Sequence, residues 1–310
     1  MRGDFVKLVE ETNKKADKKK CLFMFVDKVK GVTDLFKDHL KEICDEKDIS
    51  FNLCEVDKTK ITKTKLTCGK KVYDIDPSCT IFNLRTIFGI DLATKAQKLG
   101  YFVFNDPKTL DLATDKWESH KFLEDNKWPS PKTFKVITEE EVEEAAKKIK
   151  NYPMVMKIIG GAGGKGVQKC DDYDTLLAAC QSIWEANKEG VCENEMPLLI
   201  QEMLDSKYDV RVNVIDGEMA HAAKRQSKSF RNNLSQDGTA TDYRINKKHK
   251  KMCEDIAKKL KSEWLGVDLM FKGDKAYVLE FNTSPGIAVG KEKLGKAFQA
   301  FLVKKFEELA

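Results

Sequence analysis

Seven consecutive residues, Gly160-Gly161-Ala162-Gly163-Gly164-Lys165-Gly166, contain five glycines between an apolar run at 152–159 (YPMVMKII) and a short segment at 167–170 (VQKC). Glycine tolerates positive φ and carries no side chain, so such a loop can lay bare amides against phosphate oxygens. The loop contains Gly-x-Gly-x-x-Gly, but VQKC reads as a strand, whereas a dinucleotide site needs a helix opening from the loop. It also departs from the Walker pattern, with Ile159 at the first glycine position and Gly166 in place of Ser/Thr. A strand–loop–strand flap remains, with a flexible surface turn as the plainer alternative.

Lys157 stands in the apolar strand leading into the flap, where an unpaired ammonium is costly to bury, so it calls for an anion unless it snorkels to the surface. Further along, WLGVDLMFKGDKAYVLEFNTSPG reads as a hairpin over 264–281. If it closes through a three-residue loop, Gly273-Asp274-Lys275, then Phe271 pairs with Tyr277 and Asp268 falls opposite Glu280, with Asn282 following on the same face. Two facing carboxylates repel unless a cation or proton lies between them. With an amide oxygen they suit magnesium bridging nucleotide phosphates, whereas a solvated pair at a strand end is the alternative.

Around these features the chain reads as mixed α/β. Strands are expected at 21–27, 51–57 and near Val72 and Ile81, with helices over 35–43 and 92–99. A helical stretch follows to the break at Trp128-Pro129-Ser130-Pro131, then a helix at 138–151 capped by Thr138 with Glu141. After the flap come a helix through Leu176, Cys180 and Trp184, and a strand at 197–203. The segment DVRVNVI (209–215) alternates Val210, Val212 and Val214 with Asp209, Arg211 and Asn213. Asp216-Gly217 predicts a two-residue hairpin that returns Arg225 on a neighbouring strand. A long polar loop, a helix at 247–260, the 264–281 hairpin and an amphipathic C-terminal helix complete the chain.

The 310 residues suffice for a substantial core, and no apolar run is long enough to cross a membrane. The N-terminus lacks the apolar stretch of a secretory signal, so a cytoplasmic enzyme is expected. Nine cysteines without Cys-x-x-Cys spacing argue against zinc and disulfide frameworks. The net charge of +5 is spread among alternating lysines and glutamates, which disfavours nucleic acid and favours small anions or acidic peptides. Arg211, Arg225, Arg231 and Asn233 gather around one strand pair and suit stabilisation of a transferring phosphoryl group. The four histidines show no ligand spacing.

Six segments, in order, carry a resemblance: PMVMKIIGGAGGKGVQKC, LLIQEML, DVRVNVIDGEMAHAAKRQ, FRNNLSQDGTA, GVDLM and VLEFNTSPGI. Together they resemble the ATP-grasp superfamily, in particular its RimK-like branch of glutamate and peptide ligases, over roughly residues 80–290. The resemblance implies an ATP-grasp fold of α/β and α+β parts: a pre-ATP-grasp α/β domain (1–112), a central subdomain with the glycine flap (113–199) and a C-terminal subdomain with the magnesium site (200–310). It implies ATP and one or two Mg2+ ions, with Mn2+ as a substitute.

By the same resemblance Lys116 and Lys157, with Gly161, Gly163, Gly164 and Gly166, contact phosphates. Gln201, Glu202, Met203 and Leu204 form the adenine hinge, and Asp209 holds the ribose. Asn232 faces the nucleotide, Arg225, Arg231 and Asn233 are catalytic, and Arg85 and Arg211 bind substrate. Asp268, Glu280 and Asn282 hold the metal. Asp237-Gly238 departs from the two glycines usual in this branch, which puts glutamate as the incoming substrate in doubt.

The leading expectation is an ATP-dependent carboxylate–amine ligase working through an acyl phosphate on an anionic small-molecule or peptide substrate. The alternatives are a small-molecule kinase of the inositol-phosphate kinase type and a non-catalytic nucleotide-binding scaffold. No nucleic acid or membrane partner is expected, and homo-oligomerisation stays open.

Overall fold

The computed structural model describes residues 19–28, 30, 34–160, 166–188, 196–226, 239–286 and 289–310. They form two compact units, one of residues 1–107 and 295–310, the other of 108–294.

In the first unit β1 (Lys20–Val26), α1 (Asp34–Asp45), β2 (Ile49–Glu55), β3 (Thr59–Ile61), β4 (Lys65–Cys68), β5 (Lys71–Asp74), β6 (Thr80–Leu84), α2 (Ile90–Lys98) and β7 (Phe102–Phe104) follow one another. A parallel sheet runs β2-β1-β6-β7, and β3-β4-β5 form a separate antiparallel sheet. The apolar runs of β1 and β6 are fully buried, as expected of central strands in a parallel sheet. Cys68 closes β4, and its thiol donates to the Leu53 carbonyl of β2 at 3.4 Å.

The second unit contains α3 (Pro107–Thr114), α4 (Lys116–Asp125), β8 (Thr133–Val136), α5 (Glu139–Ile149), β9 (Met154–Ile158), β10 (Val167–Cys170), α6 (Tyr173–Lys188), β11 (Leu198–Glu202), β12 (Asp209–Ile215), β13 (Glu218–Gln226), β14 (Thr239–Asp242), α7 (Lys247–Leu260), β15 (Trp264–Lys272), β16 (Lys275–Asn282) and α8 (Lys291–Leu309). Pro107, at the start of α3, and α8 from Gly295 onward cluster with the first unit; there Phe298 and Phe301 of α8 pack on Phe104 with ring centroids 5.9 and 5.0 Å apart.

Two sheets build the second unit: β10-β9-β11-β8 and β14-β13-β12-β15-β16. In the smaller one Met154, Met156, Leu198 and Ile200 pack with Val142, Ala145, Ile149 and Leu176 of α5 and α6, which leaves Val155, Lys157, Leu199 and Gln201 on the opposite face. Thr138 caps α5 by accepting from the Glu141 N–H, and Glu141 reaches back to the Ile137 N–H at 2.6 Å. In the larger sheet Val210, Val212, Leu265, Val267 and Leu269 pack with Cys253, Ile256 and Ala257 of α7. The alternation along β12 therefore puts Asp209, Arg211 and Asn213 on the other face.

The β15–β16 turn differs from the expected loop. It is the two-residue Gly273-Asp274, with Gly273 at φ 60°, so Phe271 pairs with Ala276 and Met270 with Tyr277. A bulge beyond Val278 then shifts the register by one, and Asp268 does face Glu280. The polar loop after β13 also contains an unforeseen strand, β14, and β8 follows the proline break where only helix was expected around it.

Candidate active site

Asp115 caps α4 by accepting from the Trp117 and Glu118 N–H groups at 2.8 and 3.0 Å, which places Lys116 at the first helical position. Its Nζ donates to the Ile159 carbonyl at 3.3 Å, one residue before Gly160. Gly160 has open space around its Cβ position, and Gly166, at φ 69°, would drive a Cβ into Ile158 at 2.7 Å. Gly161, Gly163 and Gly164 lie outside the described residues, as do Arg231, Asn232 and Asn233.

Lys157 donates through Nζ to Gln201 Oε1 at 2.6 Å. Gln201, almost fully buried, donates in turn to Thr133 Oγ1 at 2.8 Å, and Thr133 to the Pro131 carbonyl at 3.0 Å. This chain fixes the lysine without giving it a counter-charge in hydrogen-bond contact. Burial pushes the Lys157 ammonium down to about 8, against the pull of the Glu280 carboxylate and with the repulsion of Lys116. Lys116 is shifted down by burial too, while Glu280 and Asp115 raise it. Two lysines from different elements thus share one carboxylate in a partly buried field.

Gln201 therefore orients Lys157 with its side chain, a role missed by an expectation that places it in the hinge. Glu202 is anchored by its N–H to the Lys132 carbonyl at 2.8 Å, and the Leu204 carbonyl accepts from Ser206. The Met203 N–H and carbonyl and the Leu204 N–H have no backbone partner among the described residues.

The larger sheet carries a row of alternating charge. Arg225 donates bidentately to Asp209 at 2.6 and 3.0 Å and reaches Asp268 Oδ2 at 2.8 Å. Arg211 grips Asp268 with Nε and, at 2.6 Å, with a terminal nitrogen. Gly266 makes room for this side chain, since a Cβ there would stand 2.9 Å from Arg211 Cδ. Burial and the neighbouring Asp268 charge push Asp209 up to about 6, with Arg225 opposing. For Asp268 burial acts upward, but Arg211 and Arg225 together outweigh it and hold the carboxyl below its ordinary range. Burial lowers Arg225, yet Asp268 and Asp209 raise it on balance.

Arg211, expected at substrate, and Arg225, expected to be catalytic, are thus both engaged with carboxylates, and the expected ribose ligand Asp209 is paired with Arg225. Asp268 and Glu280 are cross-strand partners, and Gly266 pairs with Asn282. Asn282 Oδ1 accepts from the Ser284 N–H at 2.7 Å. The Glu280 carboxylate has no hydrogen-bond donor among the described residues. The donor set of Glu280, Asp268 and Asn282 is all oxygen, which suits a hard divalent cation, but only Glu280 is open: both Asp268 oxygens are taken by Arg211 and Arg225, and Asn282 Oδ1 by the Ser284 N–H. The buried Asn213 amide oxygen and Ser284 hydroxyl, neither of them among the expected site residues, also find no partner among the described residues. Arg85 lies in the first unit, where burial lowers its guanidinium to about 10.

The sequence profile of the RimK-like ATP-grasp domain matches residues 113–305. A probable alpha-L-glutamate ligase 2 of Pseudoalteromonas atlantica is 27% identical over 223 residues, covering 71% of both chains. A probable alpha-L-glutamate ligase of Marinomonas sp. is 26% identical over 229 residues, covering 73% of both. A RimK domain ATP-grasp protein from Sphaerobacter thermophilus superposes with a TM-score of 0.67 at 17% identity, over 91% of this chain and 99% of that one. The ATP-grasp ligase PsnB, solved with a phosphomimetic variant of its minimal precursor, Mg and ADP, gives 0.67 at 15% identity over 93% and 99%.

The chain belongs to the RimK-like ATP-grasp family. It has the ATP-grasp fold preceded by an N-terminal α/β region, and it is a ligase of the ADP-forming class that makes carbon–nitrogen bonds.

Proposed function

We propose that the protein joins an amine to the carboxylate of a peptide or small anionic molecule, with the carboxylate first phosphorylated by ATP. The observation that carries this reading is the convergence of Lys116, Lys157 and Glu280, two cations and an open carboxylate from three elements of one unit. Names of relatives as probable glutamate ligases, and of a structural neighbour as an ATP-grasp ligase complexed with a precursor peptide, support an amino acid as the amine and a peptide as one class of acceptor.

Lys157, held by Gln201, and Lys116, at the positive end of α4, bind the transferring phosphoryl group. The open Met203 and Leu204 backbone groups suit a heterocycle edge, as a nucleotide base presents. Glu280, joined by Asp268 and Asn282 on release of their present partners, would hold magnesium, which when bound supplies charge neutralisation on the phosphate oxygens. Asp268 keeps Arg211 and Arg225 aligned on the same face, with their positive charge beside the acceptor side of the site. The substrate carboxylate attacks the γ-phosphorus, and the amine then displaces phosphate.

The test is a screen for ADP and phosphate release with single amino acids, short acidic peptides and inositol phosphates. Equal release of ADP and free phosphate with an amide product supports the ligase. Phosphate retained on a hydroxyl product would replace this reading with the kinase.

A further inference from the structure

A cavity of about 510 Å³ opens in the N-terminal unit, a volume within the range of ligand sites. Its charged walls are Lys37, Asp38 and Lys41 from α1, Lys70 from the β4–β5 turn and Lys71 at the start of β5. The lining thus carries four ammonium groups against one carboxylate. Lys41, Lys70 and Lys71 have no ion-pair partner among the described residues. Phe51 and Leu53 of β2 and Tyr73 of β5 supply apolar surface.

Two features bear on the occupant. First, β2 is the edge of the β2-β1-β6-β7 sheet and β5 the edge of the β3-β4-β5 sheet among the described strands, and both line the cavity. An edge strand offers main-chain donors and acceptors to an extended segment. Second, the cations are lysines on two separate elements. Such flexible point charges suit several negative groups spread along a chain better than one compact planar anion, for which arginine forks are the fitting partner.

We infer that this cavity is a second binding site, distinct from the ATP-grasp unit, that takes an extended acidic peptide with its carboxylates on Lys41, Lys70 and Lys71 and its backbone along β2. Charge complementarity and the edge strand carry the assignment, which does not depend on the reaction proposed above. A compact phosphate ligand would satisfy the charge but would leave the apolar strip and the strand edge unused.

Cys68 also lines the cavity and is only partly buried, so it reports occupancy. The experiment uses the full chain without nucleotide, a fluorescent hexaglutamate peptide, its hexaglutamine counterpart and tripolyphosphate. Hexaglutamate binds, hexaglutamine does not, and raising the salt weakens binding. K41E/K71E, at two exposed positions, lowers hexaglutamate affinity on the order of tenfold or more, whereas Glu280→Gln leaves it unchanged. In the unmutated protein hexaglutamate slows iodoacetamide labelling of Cys68 but not of Cys21, read by mass spectrometry, so the proposal is tested even if the double variant misfolds. Unchanged affinity in a folded K41E/K71E protein, no protection of Cys68, or protection by tripolyphosphate but not by hexaglutamate would each overturn it. Loss of hexaglutamate binding on Glu280→Gln would also overturn it, by locating the peptide in the ATP-grasp unit.

Discussion

The polar faces of the two sheets in the ATP-grasp unit handle charge in opposite ways. On the larger sheet Asp209, Arg225, Asp268 and Arg211 satisfy one another through bidentate contacts, two carboxylates against two guanidiniums. On the smaller sheet Lys157 has an amide oxygen for a partner and a carboxylate, Glu280, only at electrostatic range. The first arrangement is complete without a ligand. The second is incomplete in the way an anion site is, with a positive charge held in place and left underpaired. A closed cluster provides geometry and an open one provides binding.

The largest effect should come from opening the closed cluster. Arg225→Met leaves Asp209 buried without its partner and removes one of the two guanidiniums on Asp268, a loss of about 3–5 kcal/mol for breaking a buried pair. Urea unfolding measures it. A loss below about 1 kcal/mol, the range of exposed pairs, would mean the cluster is not the closed unit described.

Next in size is Glu280→Gln, which removes the open carboxylate without changing shape. Turnover should fall on the order of a hundredfold or more while the unfolding midpoint stays near that of the parent. Near-normal turnover in saturating magnesium would remove Glu280 from the metal set.

A third effect is set by pH. Lys157 titrates near 8 in the folded chain against 10.5 ordinarily, so between those values the unfolded chain binds the extra proton, and this lysine's contribution to stability rises with pH across that window. Anion binding needs the ammonium. ADP affinity, followed by calorimetry, should hold steady below about pH 8 and weaken above it by up to about tenfold per pH unit, and Lys157→Met should abolish that bend. An unchanged profile in the variant would assign the titration elsewhere. The smallest effect is expected from Gln201→Leu, which releases the lysine and should weaken ADP binding by about 1 kcal/mol, or roughly fivefold.

Much of this was legible in the sequence because it is local. The Thr138 cap, the glycine-rich loop and the carboxylates of one hairpin lie within short spans, where period and turn chemistry act. The Asp268–Glu280 pairing was reached through a turn one residue too long, and the bulge beyond Val278 compensates for that error. What stayed hidden depends on strand order. The Asp216-Gly217 turn places β13 beside β12, but nothing in the sequence places β15 on the other side of β12, so the engagement of Arg211 and Arg225 with Asp268 could not be read. Gln201 beside Lys157 requires β11 next to β9. The edge positions of β2 and β5, which shape the lysine-lined cavity, are equally a matter of topology.

The central claim is that carboxylate attack on ATP opens the reaction, and isotope transfer tests it most directly. A substrate whose carboxylate carries heavy oxygen should deliver one labelled oxygen to the released phosphate, because that oxygen bonds to the γ-phosphorus and stays there when the amine displaces it. Labelled phosphate formed together with ADP and the amide is the predicted result; unlabelled phosphate, or a product that keeps the phosphoryl group, would contradict it.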